Sequence, residues 1–185
     1  MGKKIIITGG IGYIGTELSK IYSGVSRNNK IIVFDNRFAS ERINQLRNWG
    51  IDFIHGDILD KELVKKHFSD ADIIHHLAGV TDVPRVKSES DKEKENQINL
   101  VAQNGTQNIL DVINDECKII FPSTHVVYEG IEKVKNGILE DEDTKPILSY
   151  ASSKANNEKQ IKNSGKNYII LRLGSVYGYS TDTAR

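Results

Sequence analysis

Six short apolar runs, KIIIT (4–8), KIIVFD (30–35), IDFIH (51–55), ADIIHHLA (71–78), KIIFPS (118–123) and YIILRL (168–173), alternate with longer amphipathic segments along this chain. Several of the runs are apolar without the in-out alternation of a half-exposed strand, the pattern of strands covered on both faces. The intervening segments have helical spacing: Tyr13–Gly24, Ser40–Trp49, Lys61–Phe68, a long one from about Glu93 to Asn114, and Tyr150–Asn163. Strand and helix in strict alternation predict an α/β fold, a doubly wound parallel sheet with right-handed crossovers. In that architecture ligands bind beyond the carboxyl ends of the strands.

Composition narrows the function. The 185 residues carry 25 basic and 25 acidic side chains, and no basic block interleaved with aromatics occurs, which argues against a nucleic-acid partner. No apolar run nears the roughly 20 residues that span a bilayer, so no membrane partner is expected. A single cysteine, Cys117, rules out an internal disulfide framework. With an apolar strand starting by Ile5 and no room for a secretory leader, the reading is a cytoplasmic protein of one domain. The segments 80–90 and 129–149 are longer than ordinary connections and follow strands on the ligand side, which makes them candidates for substrate contact.

The first run leads into TGGIGYIG, in which Gly10, Gly12 and Gly15 satisfy G-x-G-x-x-G and Gly9, Gly12 and Gly15 lie three apart. Such a loop allows a tight turn, lets backbone approach a pyrophosphate, and presents the N–H groups of the following helix to it. The glycines alone are a weak signal. Asp35, ending the next strand in VFDN, stands 20 residues past Gly15, where a carboxylate accepts hydrogen bonds from the adenosine ribose and repels a 2′-phosphate. NAD is the favoured cofactor, with Arg37 as the residue that could instead pair with a phosphate.

YASSK sets Tyr150 and Lys154 four residues apart, on one helical face. That spacing arises readily by chance, and only its setting gives it meaning. His75 and His76 fall inside the fourth strand, where a packed or hydrogen-bonded role is the expectation, and no ligand set for a metal accompanies them.

Taken in order, TGGIGYIG, VFDN, GDILD (56–60), HHLAG (75–79), FPSTHVVYEG (121–130), YASSK and LRLGSVYG (171–178) resemble the extended short-chain dehydrogenase/reductase family, specifically its NAD-dependent nucleotide-sugar epimerase/dehydratase group. The resemblance implies a Rossmann-like domain. It implies cofactor contacts from Gly9, Gly12, Tyr13, Ile14, Gly15, Asp35, Asn36, Asp57, Ile58, Leu77, Ala78 and Gly79, together with Tyr150 and Lys154. It further implies that Tyr150 acts as the base, activated by the Lys154 ammonium, with Thr124 holding the reacting hydroxyl of a nucleotide-diphosphate sugar. A homodimer is compatible with it.

Family dehydratases place an acidic residue one or two positions after this threonine, whereas His125 and Val126 follow here, so epimerisation through a transient keto sugar, or simple oxidation or reduction of the sugar, is preferred over water elimination, and a non-catalytic dinucleotide-binding module is the alternative. Ala102 and Ser175 replace asparagines frequent in the family. Relatives also continue past the sixth strand into a seventh strand and a smaller lobe that closes over the sugar. The expectation is therefore an NAD-binding Rossmann domain over residues 1–185, with most of that lobe missing and with poor or no turnover.

Overall fold

The computed structural model describes residues 2–25, 28–81, 91–132 and 137–178. Its strands are β1 (Lys4–Thr8), β2 (Lys30–Asp35), β3 (Asp52–His55), β4 (Ile73–His76), β5 (Lys118–Thr124) and β6 (Asn167–Leu173). Its helices are α1 (Tyr13–Val25), α2 (Ser40–Asn48), α3 (Lys61–Phe68), α4 (Lys92–Leu100), α5 (Thr106–Val112) and α6 (Ser149–Asn163). All strands pair in parallel, in the order β3-β2-β1-β4-β5-β6. The direction of winding reverses between β1 and β4, and there the loops after these two strands splay apart and leave a crevice.

Both sheet faces are covered over the central strands, as the unbroken apolar runs require. On one face Ile6, Ile32, Phe34, Ile74, Ile119 and Phe121 pack with residues of α3, α5 and α6, including Phe68, Ile109 and Ile161. On the other, Ile5, Ile7, Ile31 and Val33 pack with Leu46 of α2 and Ile51. Each such burial stabilises the fold by about 1.5–3 kcal/mol. Coverage thins at the β6 edge. Ile170 joins the first cluster and Arg172 reaches α6, which turns Ile169 and Leu171 to the opposite face, where they are exposed.

The long helix expected from Glu93 to Asn114 is interrupted. Asp91 caps α4 by accepting the Glu93 N–H at 3.0 Å, and residues Val101–Gly105 then form a π-helical turn before α5, which ends at Val112. A π turn redirects carbonyls that an α-helix would consume, and here a side chain of α6 uses one of them: Asn157 donates to the Ala102 carbonyl at 2.8 Å. The segment 129–149 also differs from a free loop. Val127 and Lys145, and Lys145 and Gly130, are joined by 2.8 Å backbone bonds. Arg172 ties it down by donating to the Glu140 carbonyl at 2.7 Å and to the Tyr128 hydroxyl. Of the other long connection, residues 82–90 lie outside the described residues.

The two strand histidines form part of a buried polar series. His76 bonds Thr8 Oγ1 through Nδ1 at 3.1 Å and Thr106 Oγ1 through Nε2 at 2.9 Å. Asn157 donates to Thr106 Oγ1 at 2.9 Å, and the Ala78 N–H donates to Thr8 Oγ1 at 3.0 Å. Burial, together with the nearby Lys154 charge, pushes the His76 imidazole down to about 3, so it is neutral in the fold. His75 sits on the other face against the Tyr22 hydroxyl at 2.7 Å. Thr106→Val, nearly isosteric, leaves His76 Nε2 unpaired and removes one of three acceptors from Asn157, which keeps the Ala102 carbonyl and Gln160 Oε1. It should cost about 1–3 kcal/mol in a urea melt; a variant as stable as wild type would show that the series contributes nothing.

Candidate active site

A cleft of about 630 Å³ lies at the winding reversal, within the range of cofactor sites. Every position expected from sequence to touch cofactor or substrate lines it: Gly9, Gly12, Tyr13, Ile14 and Gly15 from the loop into α1; Asp35 and Asn36 after β2; Asp57 and Ile58 after β3; Leu77, Ala78 and Gly79 after β4; Thr124 at the end of β5; and Tyr150 and Lys154 on α6. The glycine loop is shaped as its sequence requires. Gly9 has φ +64°, and a Cβ there would lie 2.8 Å from the Ala78 nitrogen; one on Gly15 would lie 2.5 Å from Gly10 Cα. Side chains would force the loop away from the β4 connection and α1 away from the sheet.

Tyr150 and Lys154 share one face of α6, with the ammonium 5.9 Å from the phenol ring centroid. Lys154 donates to the Pro122 carbonyl at 3.0 Å and sits 4.5 Å over the Phe121 ring. Its ammonium is part-buried on the cleft wall. Desolvation lowers it to about 8, partly opposed by the Glu158 carboxylate. The same burial raises the Tyr150 phenol above its ordinary range. Desolvation of the phenol dominates here, with the Lys154 ammonium turned to the Pro122 carbonyl. Thr124 uses its hydroxyl oxygen to accept the Val126 N–H at 3.3 Å, opening the 3-10 turn His125–Tyr128. His125 is exposed, with Nδ1 3.2 Å from the Leu173 carbonyl.

Residues 3–184 match the family described as RmlD substrate binding domain. The chain belongs to that family, among the extended short-chain dehydrogenase/reductases of the nucleotide-sugar epimerase/dehydratase group. Relatives of this family member include the dTDP-D-glucose 4,6-dehydratase of Dictyostelium discoideum, 33% identical over 95% of this chain and 44% of that protein. The CDP-paratose 2-epimerase of Salmonella typhi is 29% identical over 95% of this chain and 58% of that protein. Among solved structures, the UDP-glucose 4-epimerase of Brucella ovis in complex with NAD superposes with a TM-score of 0.74 at 26% identity, covering 92% of this chain and 51% of that one. The chain thus spans about half the length of the relatives it matches.

The cleft of this family member also contains residues that its motifs did not announce. Gln97, Leu100 and Val101 line it, together with Arg37 and Val176. Gln97, Leu100 and Val101 reach it at the junction of α4 with the π turn, which no short motif marks. Among the described residues no three His, Cys, Asp or Glu side chains gather as a metal-ligand set. No helix there is long and apolar enough to cross a membrane.

Asp35 has a second task. It is buried, and it accepts the Ile11 N–H at 3.2 Å, the Arg37 N–H at 3.0 Å and Arg37 Nε at 3.4 Å. The carboxylate therefore latches the glycine loop to the end of β2. Sequence reasoning assigns Asp35 to cofactor discrimination ahead of folding; the bonds to Ile11 and Arg37 give it both. Asp35→Ala should lower stability without ligand by about 1–3 kcal/mol, read as a drop in Tm. An unchanged Tm would mean that the latch is slack.

Proposed function

We propose that the protein binds NAD across this cleft and uses it to oxidise a nucleotide-diphosphate sugar to a transient keto sugar, as a nucleotide-sugar epimerase. The observation that carries this reading is the convergence in one cleft of the glycine loop, Asp35 and the trio Thr124, Tyr150 and Lys154. Residues 1–185 would act as one dinucleotide-binding unit. Because the chain spans about half of its relatives, sugar turnover is proposed for the protein as a whole, and dinucleotide binding for the unit in hand.

The cleft suits a dinucleotide in volume and chemistry. Gly9, Gly12 and Gly15 keep side chains out of the space a pyrophosphate needs, beside the N-terminus of α1. Asp35 retains acceptor capacity for ribose hydroxyls beyond the bonds it already makes. Asp57 and Ile58 would flank adenine, and Leu77, Ala78 and Gly79 the nicotinamide side. NAD, when bound, supplies the hydride acceptor. Thr124 holds the reacting sugar hydroxyl, and Tyr150 takes its proton as the carbon-bound hydrogen leaves. The Lys154 ammonium, once turned from Pro122 toward the cleft, would favour the phenolate. Inversion would require the keto sugar to present its other face, with Tyr150 restoring the proton. A dehydratase fits less well, since His125 and Val126 follow Thr124 and offer no carboxylate to drive elimination.

Thermal unfolding with NAD, NADP and a panel of UDP-, GDP-, CDP- and dTDP-sugars tests the reading, because a ligand at 100 times its Kd stabilises the native state by about 2.7 kcal/mol. NAD should stabilise more than NADP, and in the protein as a whole one sugar nucleotide should add to NAD and be converted to its epimer. Equal stabilisation by NADP would overturn the Asp35 assignment. Stabilisation of the whole protein by NAD with no response to any sugar nucleotide would leave a dinucleotide-binding module without this chemistry.

A further inference from the structure

Helix α6, which carries Tyr150 and Lys154, begins without a cap of its own. Leu148 occupies the N-cap position, and its side chain makes no capping bond. The cap comes instead from a distant residue. The backbone N–H groups of Ile147 and Leu148 both donate to Glu129 Oε1, each at 2.6 Å, across separations of 18 and 19 residues. Glu129 directly follows the 3-10 turn His125–Tyr128, which itself begins at Thr124. One carboxylate therefore ties the segment leaving Thr124 to the segment entering Tyr150, and its charge lies at the positive end of α6.

The surroundings make this tie stiff. The Val127–Lys145 and Lys145–Gly130 backbone bonds flank it. The Tyr128 hydroxyl donates to the Leu139 carbonyl at 3.1 Å, and Arg172, bound to Glu158 of α6 at 2.7 Å, braces the same residues from behind. Glu129 itself does not line the cleft. It touches no candidate reacting group and acts on the site only through backbone.

We infer that Glu129 is a positioning residue, which fixes the start of α6 and thereby the Tyr150 phenol relative to Thr124. The inference rests on the proposed roles of those two residues. Glu129→Ala removes the acceptor, whereas Glu129→Gln keeps an acceptor oxygen without the charge. Amide exchange of Ile147 and Leu148 should speed up about tenfold or more in the Ala variant, a change of the size a lost helix cap produces, with amides of β1 and β4 unaffected. In protein labelled with ¹³C-tyrosine, the Tyr150 signal, identified by its loss in Tyr150→Phe, should move in the Ala variant. The Gln variant should stay near wild type in both measurements. Sugar-dependent hydride transfer in the Ala variant should lose about tenfold in kcat with NAD affinity unchanged.

Unchanged exchange at Ile147 and Leu148, faster exchange spread over the whole sheet, a stationary Tyr150 signal, or a Gln variant matching Ala would each overturn the inference. Absence of hydride transfer in the protein as a whole would instead defeat the proposed function, while exchange and the tyrosine signal would still decide the role of Glu129.

Discussion

In the protein as a whole, Tyr150→Phe lowers the rate of nucleotide-sugar epimerisation by about 10²–10⁴-fold, the usual contribution of a positioned acid-base group, and leaves NAD affinity and Tm near wild type. The small structural cost follows from the hydroxyl's surroundings: no side chain or carbonyl among the described residues hydrogen-bonds it, so its removal strands no partner. The catalytic cost follows from its place, beside Thr124 and one turn before Lys154 in the same cleft. Burial raises the phenol, so the ligand-free protein holds very little phenolate at neutral pH. Adding NAD should therefore shift the Tyr150 titration downward, an effect visible by ultraviolet difference spectroscopy and lost in the Phe variant. Hydride transfer persisting in the Phe variant would transfer the base role to another residue.

Lys154→Met abolishes that chemistry and at the same time stabilises the ligand-free fold. Holding the ammonium at about 8 rather than 10.5 costs about 3 kcal/mol at neutral pH. The bond to Pro122 and the contact with the Phe121 ring accompany the charge, and their loss takes back part of the gain. The net expectation is about 1 kcal/mol in favour of Met at pH 7, or roughly 2–4 °C in Tm. The sign of the pH dependence follows from the depressed value. Between about 8 and 10.5 the unfolded chain binds more protons than the folded one, so wild-type stability rises across that window and the advantage of Met shrinks. Urea melts of both proteins at pH 7 and pH 10 measure it. A Met variant that is less stable at pH 7, or whose advantage is the same at both values, would mean that the ammonium is not buried at a cost.

The parts of the fold and site that could be read in the sequence are those specified locally. Apolar runs gave β1 and β2 with their observed bounds, since a strand covered on both faces needs only β-branched and aromatic residues in a row. The glycine loop was readable because its backbone conformation demands that residue type, and the place of Asp35 in the cleft because it ends the second apolar run. What escaped depends on partners remote in sequence. The π turn at Val101–Gly105 is accommodated by Asn157, 55 residues away from Ala102. The latch from Asp35 to Ile11 and the cap from Glu129 are likewise ordinary polar residues until the fold brings their partners near. The desolvation of Tyr150 is also invisible to helical spacing, which shows two groups side by side, whereas desolvation depends on everything packed around them.

The strand order also bears on how the chain acquires its fold. Neighbouring central strands join residues far apart in sequence, Thr8 meeting His76 across 68 residues, and every pairing in the sheet is parallel. Such pairing closes long loops before any ladder bond forms, so folding should be slow for a domain of this size. The cleft draws on residues from Gly9 to Val176, and no contiguous fragment can assemble it ahead of the rest. Dinucleotide capture is then a late event on the folding route: NAD should slow unfolding while leaving the refolding rate nearly unchanged.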